Sequence, residues 1–288
     1  MQIVRKAVIP VAGFGTRFLP VTKASPKEML PVVDKPVVQY VVEELVASGI
    51  TDIILVTGAS KRAVEDHFDY NFELQAWLKK QGKLKEEQEV RHIAEMANFI
   101  YIRQKGNYGN GTPLICAKDV VGNEPFVYIW GDEFVGANPP RVKQCLDVFY
   151  KYGDPVVAGV RVPKKDVSKY GIVEVTKLEK NIYQIFSFIE KPTPREAPSN
   201  LAALGCYILT PDVFDNIKNI KPGKSGEVWI VDLVSRLMKK RPFYACEIAN
   251  GTYYDTGSKL GWLKANVDFA LRDPQLKTEF KKYLRSVV

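Results

Sequence analysis

One segment limits the possible folds more than any other. The apolar run "KAVIPVA", residues 6–12, passes directly into "GFGTRFLPVTKASPKEMLP", residues 13–31. A short continuous apolar run that stops at a glycine is the pattern of a strand buried on both faces of a parallel sheet. The segment after it cannot be an ordinary crossover helix. Pro20, Pro26, Pro31 and Pro36 each remove a backbone donor and crowd the preceding helical turn. The chain therefore leaves its first strand through an extended, stiffened loop.

Three kinds of phosphate loop begin in this way. A dinucleotide fingerprint needs a third glycine where Phe18 stands, and the prolines break the helix it should open, although Asp34 lies at a suitable distance for a ribose carboxylate. A Walker loop is absent, because Gly223-Lys224-Ser225 has Lys218 where the leading glycine belongs. The third kind is a bare backbone cradle with added charge. Gly13 and Gly15 let N–H groups approach a polyphosphate. Arg17 can grip two phosphate oxygens as a fork, and Lys27 is a point charge able to follow a moving one.

Beyond the loop, strand and helix patterns alternate. "KPVVQYVVEELVASG" carries Val38, Val41, Val42 and Leu45 on one helical stripe, with Pro36 suited to the first helical position and Gly49 to the exit. "TDIILVTG" is a strand, "SKRAVEDHF" a helix with Ser60 as its cap, and "FELQAWLKKQGKLKEEQEV" one charged helix or two. "NFIYIRQ" and "EPFVYIWGDE" are strands around a helix that Pro113 opens. This alternation predicts an α/β fold with a doubly wound, mostly parallel sheet. After about residue 155, "DPVVAGVRVP", "GIVEVTKLEKNIYQIFSFIEKP" and "LAALGCYILTP" read as strands with little helix between them, so a smaller antiparallel element is expected there. The tail, residues 258–288, reads as helical and suits packing on the sheet or a subunit contact.

The formal charge of +8 favours anionic partners. Because the Lys and Arg residues are dispersed and lack interleaved aromatics, the expected anion is a small molecule and not nucleic acid. No apolar stretch reaches the roughly 18–20 residues of a membrane span, and "MQIVRKAVIP" lacks the apolar core of a signal peptide. A cytoplasmic protein is expected. Cys116, Cys145, Cys206 and Cys246 have no C-x-x-C spacing and read as buried thiols, and His67 and His92 as packing or surface residues.

The whole of "VIPVAGFGTRFLPVTKASPKEMLPVVDKPVVQYVVEE" resembles the signature of bacterial-type UTP:glucose-1-phosphate uridylyltransferases, in the sugar-nucleotidyltransferase family. The resemblance runs on through "DIILVTGASKRAVEDHFD", "YIRQKGNYGNG", "EPFVYIWGDE", "YGIVEV", "FIEKP", "APSNLAALGCYILTP" and "YYDTGSKLGWLKANV". It implies a single nucleotidyltransferase domain with a nucleotide-binding part (about 1–154), a sugar-binding part (about 155–257) and a helical tail (about 258–288). It further implies UTP and glucose 1-phosphate as substrates, Mg²⁺ as cofactor, no membrane partner, and a homo-oligomer, dimer or tetramer.

Residue by residue, the resemblance assigns Ala12, Gly13, Gly15, Gln104 and Gly109 to the nucleotide, and Arg17, Lys27 and Lys191 to the catalytic charges. A side-chain amide such as Gln104 carries both the donor and the acceptor that the uracil edge needs. Asp132 and Asp255 are the implied metal ligands. Asp132 follows a strand, at the carboxyl end where such sheets bind ligands. Gly171, Glu190, Asn200 and Gly205, with Ala203, are implied for the sugar, and Lys191 for its phosphate. Glu133, on the other face of an extended chain, is expected to be structural.

Two stretches depart from the family pattern. Gly109-Asn110-Gly111-Thr112-Pro113 replaces the usual G-L-G-H-A, and "GEVWIVDL" carries Trp229 and Val231 at polar positions while keeping Glu227 and Asp232. The reaction implied needs no general base, because the attacking phosphate is already an anion; catalysis by positioning and charge neutralisation suffices. A thymidylyltransferase or a nucleotide-tolerant enzyme stays open beside the uridylyl reading. A non-catalytic sugar-nucleotide sensor and a dehydrogenase are the remaining alternatives.

Overall fold

The computed structural model describes residues 2–219 and 226–287; Gly223, Lys224 and Ser225 lie outside them. The strands in chain order are β1 (Lys6–Pro10), β2 (Pro31–Val32), β3 (Lys35–Pro36), β4 (Asp52–Thr57), β5 (Asn98–Arg103), β6 (Phe126–Ile129) and β7 (Phe134–Ala137). They continue with β8 (Val156–Arg161), β9 (Gly171–Lys177), β10 (Ile182–Glu190), β11 (Leu201–Leu209), β12 (Tyr244–Glu247) and β13 (Gly251–Tyr254). The helices are α1 (Val37–Ala47), α2 (Arg62–His67), α3 (Phe72–Lys80), α4 (Leu84–Glu95), α5 (Thr112–Val121), α6 (Arg141–Tyr152), α7 (Ile230–Leu237), α8 (Lys259–Ala270) and α9 (Lys277–Val287).

Nine strands form one sheet in the order β5-β4-β1-β6-β11-β8-β12-β10-β9. β5, β4, β1 and β6 are mutually parallel, the doubly wound half the alternation predicts. β11 then enters antiparallel to both β6 and β8, and β10 runs antiparallel to β12 and β9. β9 returns to β11 through Ala202↔Ile172 and Ala203↔Gly171, so the last five strands close on themselves. The antiparallel element is therefore continuous with the parallel sheet and shares β11 with it.

β1 shows why its sequence is unbroken in apolarity: Ala7 and Ile9 join the cluster under α1, while Val8 joins the opposite cluster under α5 and α7. The α1 stripe of Val38, Val41, Val42 and Leu45 is buried as its spacing requires, each side chain contributing roughly 1.5–3 kcal/mol. Pro36 sits one position earlier than expected. It precedes the helix with ψ 144° and pairs with Pro31 in the β2–β3 hairpin. Ser60 caps nothing: it takes a left-handed φ of 66°, and α2 starts after Lys61 without a side-chain cap. The charged stretch is two helices, α3 and α4, parted at Gly82. In the tail, Ser258 caps α8, whose Trp262, Ala265 and Phe269 pack on the core, whereas α9 buries none of its side chains. Cys145, Cys206 and Cys246 are buried and Cys116 half-buried, all free. His67 is a packing residue against Gln39 Oε1 at 2.8 Å, and His92 is exposed. Among the described residues no helix is long and apolar enough to cross a membrane.

Candidate active site

At the carboxyl ends of β1, β5 and β6 lies a cavity of about 920 Å³. Ala12, Gly13, Gly15, Arg17, Lys27, Gln104, Gly109, Asp132 and Glu227 all line it, which brings the expected phosphate and base residues together with Asp132, whereas Asp255, Gly171, Glu190, Lys191, Asn200 and Gly205 are not part of the lining. The loop after β1 is built from short turns separated by proline. Gly15, at φ 68°, reverses the chain into the turn Thr16–Phe18, and Thr22 fastens it by donating to the Gly15 carbonyl at 2.8 Å. Pro26, extended at ψ 140°, then launches the turn Lys27–Met29. The result places Lys27 Nζ beside Gly13, 3.6 Å from where a Cβ there would be.

The two acidic residues meet through a pairing of small strands. β7 pairs antiparallel with β13 in the register Phe134↔Tyr254, so Asp132, just before β7, and Asp255, just after β13, reach the same end. Thr256 donates to the Asp132 carbonyl at 2.7 Å, locking the two segments. A side chain at Gly257 would lie 3.2 Å from an oxygen of each carboxylate and 3.6 Å from Arg17 Nη1. Lys27 Nζ stands 2.5 Å from Asp132 Oδ2.

These charges set one another's ionisation. Burial opposes the charge on Asp132, but the Lys27 ammonium and then Arg17 outweigh it and hold the carboxyl below its usual value. Burial likewise opposes the charge on Lys27, and Asp132 and Glu28 reverse the balance. On Asp255 burial, followed by the charge of Asp132, outweighs the opposing charge of Arg17 and pushes it up. Two hard carboxylates converging on one point, one of them short of positive charge, fit a divalent cation whose remaining ligands are phosphate oxygens and water. No group of three or more metal-ligating side chains occurs among the described residues, so protein ligands alone would leave such an ion open to substrate.

Glu133 points the other way, as expected of it. It is buried and accepts from Arg141 at 3.1 Å, the Gly205 N–H at 2.8 Å and the Tyr253 hydroxyl at 2.8 Å. The sugar-side residues adjoin this end. Gly171 pairs with Glu190, whose carboxylate lies 3.1 Å from where a Gly171 Cβ would sit and is pushed up chiefly by burial. Lys191 takes a left-handed φ of 47° and donates its N–H to the Tyr170 carbonyl at 3.0 Å; Tyr170 in turn meets Tyr253, two residues before Asp255, edge to face.

Asn200 and Gly205 are placed differently. The Asn200 amide accepts from Arg161 at 2.7 Å and donates to the Val162 carbonyl at 3.3 Å, which engages both ends of the side chain. Gly205 lies beneath Trp130, whose ring atoms come within 2.1 Å of where its Cβ would be, so Trp130 and not Gly205 meets the cavity. Sequence reasoning also passed over Phe14 and Tyr108, exposed rings 4.9 Å apart across the cavity mouth, and the buried pair Glu28–Lys61 at 2.7 Å beneath the phosphate loop. Phe14 lies inside the glycine motif itself, the one available signal for it.

The two departures from the family pattern touch each other. Val228 N–H donates to the Tyr108 carbonyl at 3.0 Å, Gly111 N–H to the Val228 carbonyl at 2.8 Å, and Ile230 N–H to Asn110 Oδ1 at 2.8 Å. Gly109, at φ 125°, could not carry a side chain, because its Cβ would fall 2.2 Å from the Val228 oxygen.

A glycine-and-charge loop at the carboxyl end of a doubly wound sheet, facing paired aspartates and no nucleophile–base arrangement, defines a phosphoryl- or nucleotidyl-transfer site. The family model described as nucleotidyl transferase matches residues 6–271, and the chain belongs to that family. More particularly, it is 44% identical over 285 residues to a UTP–glucose-1-phosphate uridylyltransferase of Bacillus subtilis, covering 99% of this chain and 96% of that one. It is similar to a UTP-bound UGPase from Acinetobacter baumannii (TM-score 0.92, 35% identity, 99% and 100% covered). A UDP-glucose pyrophosphorylase complexed with UDP-glucose matches at TM-score 0.85 and 39% identity, with 94% and 100% covered.

Proposed function

We infer that this enzyme transfers a uridylyl group from UTP to glucose 1-phosphate, giving UDP-glucose and pyrophosphate. The observation that carries this reading is that Lys27, Arg17 and Asp132 share a cavity with Gln104 and Gly109, while Asp255 adjoins Asp132 across Gly257. A phosphate oxygen of the sugar phosphate forms the new bond to the α-phosphorus of UTP as the bond to the bridging oxygen breaks and the electron pair leaves on pyrophosphate. Both attacking and leaving groups are anions, so the site's task is to neutralise and align them.

In this reading Gly13 and Gly15 offer backbone donors to the triphosphate, and Arg17 and Lys27 draw charge toward the departing pyrophosphate. Gln104 and Gly109 hold the base, Glu190 and Gly171 the hexose, and Lys191 its phosphate. A Mg²⁺ ion held by Asp132 and Asp255 would supply further neutralisation of the phosphate oxygens. Lys27, paired with Asp132, would then turn to the phosphates. Glu227, also on the cavity wall, is assigned to the sugar; Asp232 is exposed and is given no role. Residues about 1–154 serve the nucleotide, about 155–257 the sugar, and the tail association into a cytoplasmic dimer or tetramer, for which the unburied face of α9 is available.

The deciding experiment measures pyrophosphate release with glucose 1-phosphate and UTP, dTTP, ATP, CTP or GTP in the presence of Mg²⁺, repeated with galactose and N-acetylglucosamine 1-phosphates. Fastest release with UTP and glucose 1-phosphate is expected. Equal rates with dTTP would favour the thymidylyl alternative, and no release with any pair would leave the sensor.

A further inference from the structure

We propose that Trp229 is a positioning residue for Lys191, holding its ammonium with the face of the indole and tying it to the base-reading turn. Lys191 Nζ stands 5.7 Å from the centre of the Trp229 ring, within the range at which a cation is attracted to an aromatic face. Among the described residues the acidic group paired with it, Glu190, stands at 3.9 Å, longer than a close ion pair, and the Lys191 side chain is half exposed. A lysine in that setting has a compact charge on a flexible stem and would sample many positions. Its left-handed backbone, fixed by the bond to Tyr170, aims the stem, and the indole limits where the stem ends.

Trp229 is itself immobilised from behind. The 228–230 backbone is clipped to the 108–111 turn by three hydrogen bonds, and the Tyr128 hydroxyl, from the core of the sheet, donates to the Asn110 carbonyl at 2.5 Å. Gly111 makes the contact close: a Cβ there would be 3.0 Å from the Trp229 carbonyl carbon. The unusual glycine-asparagine-glycine turn and the unusual tryptophan are thus one adaptation. The turn supplies a rigid seat, and the ring on that seat braces Lys191.

The proposal rests on reading Lys191 as the ligand of the sugar's phosphate, and the test separates the two. With Trp229→Leu, the KM for glucose 1-phosphate should rise about three- to fivefold, the worth of an exposed cation–π contact, while the KM for UTP and the melting temperature stay unchanged. Trp229→Phe, which keeps an aromatic face, should restore most of the loss. In Lys191→Ala the KM for the sugar phosphate should rise further, and adding Trp229→Leu to it should cost nothing more. If Lys191→Ala leaves that KM unaltered, the assignment of Lys191 fails and the brace falls with it. If Lys191→Ala raises it but Trp229→Leu does not, or if Trp229→Leu raises the UTP and sugar-phosphate KM values alike, the brace alone is overturned.

Discussion

Asp132 and Glu133 are neighbours in the chain and enter two ion clusters that behave in opposite ways. Asp132 faces the cavity and pairs with Lys27, the two side chains retaining 23% and 25% of their exposure. Glu133 faces the core and, with Glu44, encloses Arg141, whose side chain is wholly buried. Both clusters set acidic side chains against basic ones. The first is open to solvent, which on the proposed function lets its partners be exchanged for phosphates. The second has no exit, and Glu44 further accepts the Val142 N–H at 3.0 Å, so it acts as a fixed pin between α1, α6 and the strand end that carries Asp132. One extended dipeptide therefore couples an exchangeable charge to a permanent one.

The sharpest way to separate them is Asp132→Asn, which removes charge with little change of volume. Turnover should fall roughly a thousandfold while the melting temperature is kept or raised; unchanged turnover at saturating metal would take Asp132 out of the site. Arg141→Met should do the reverse in kind. It strands two buried carboxylates, so the stability measured by urea unfolding should fall by about 3–5 kcal/mol, and a loss below 1 kcal/mol would show that the core cluster is not a pin. The smallest effect belongs to a half-buried contact with no charge at all, His67 on Gln39. Burial lowers the His67 pKa, so the unfolded chain binds the proton more readily than the folded one. Stability is then fully present above the unfolded value of about 6.5 and is lost as pH falls through the lowered folded value. His67→Gln should flatten that part of the stability profile, and an unchanged slope would refute the assignment.

Much of this was legible in the sequence because it depends on local rules. The run "KAVIPVA" had to be doubly buried, the α1 stripe had to face inward, and the prolines after Gly15 had to stop a helix. Asp132 was legible as the residue that leaves a strand at a sheet's binding end. What stayed hidden depends on pairing between distant segments. No periodicity says that β13 lies against β7, yet that register is what carries Asp255 to Asp132. Nor could spacing show that Trp130 covers Gly205, that Asn200 is already engaged by Arg161 and Val162, or that the turn 109–113 is seated on residues 228–230. Each of these is a contact chosen by shape after the sheet has formed.

The sharing of β11 has a consequence for traffic through the site. Hydrogen bonds run from β6 across β11 to β8 and β9, so no cleft divides the parallel half of the sheet from the antiparallel half. The two cannot swing apart like jaws. On the proposed function, the exchange of substrates and products falls to the loops that carry Phe14 and Tyr108, exposed on the cavity wall. A new substrate preference can then arise by rewriting those loops while the framework beneath them stays the same.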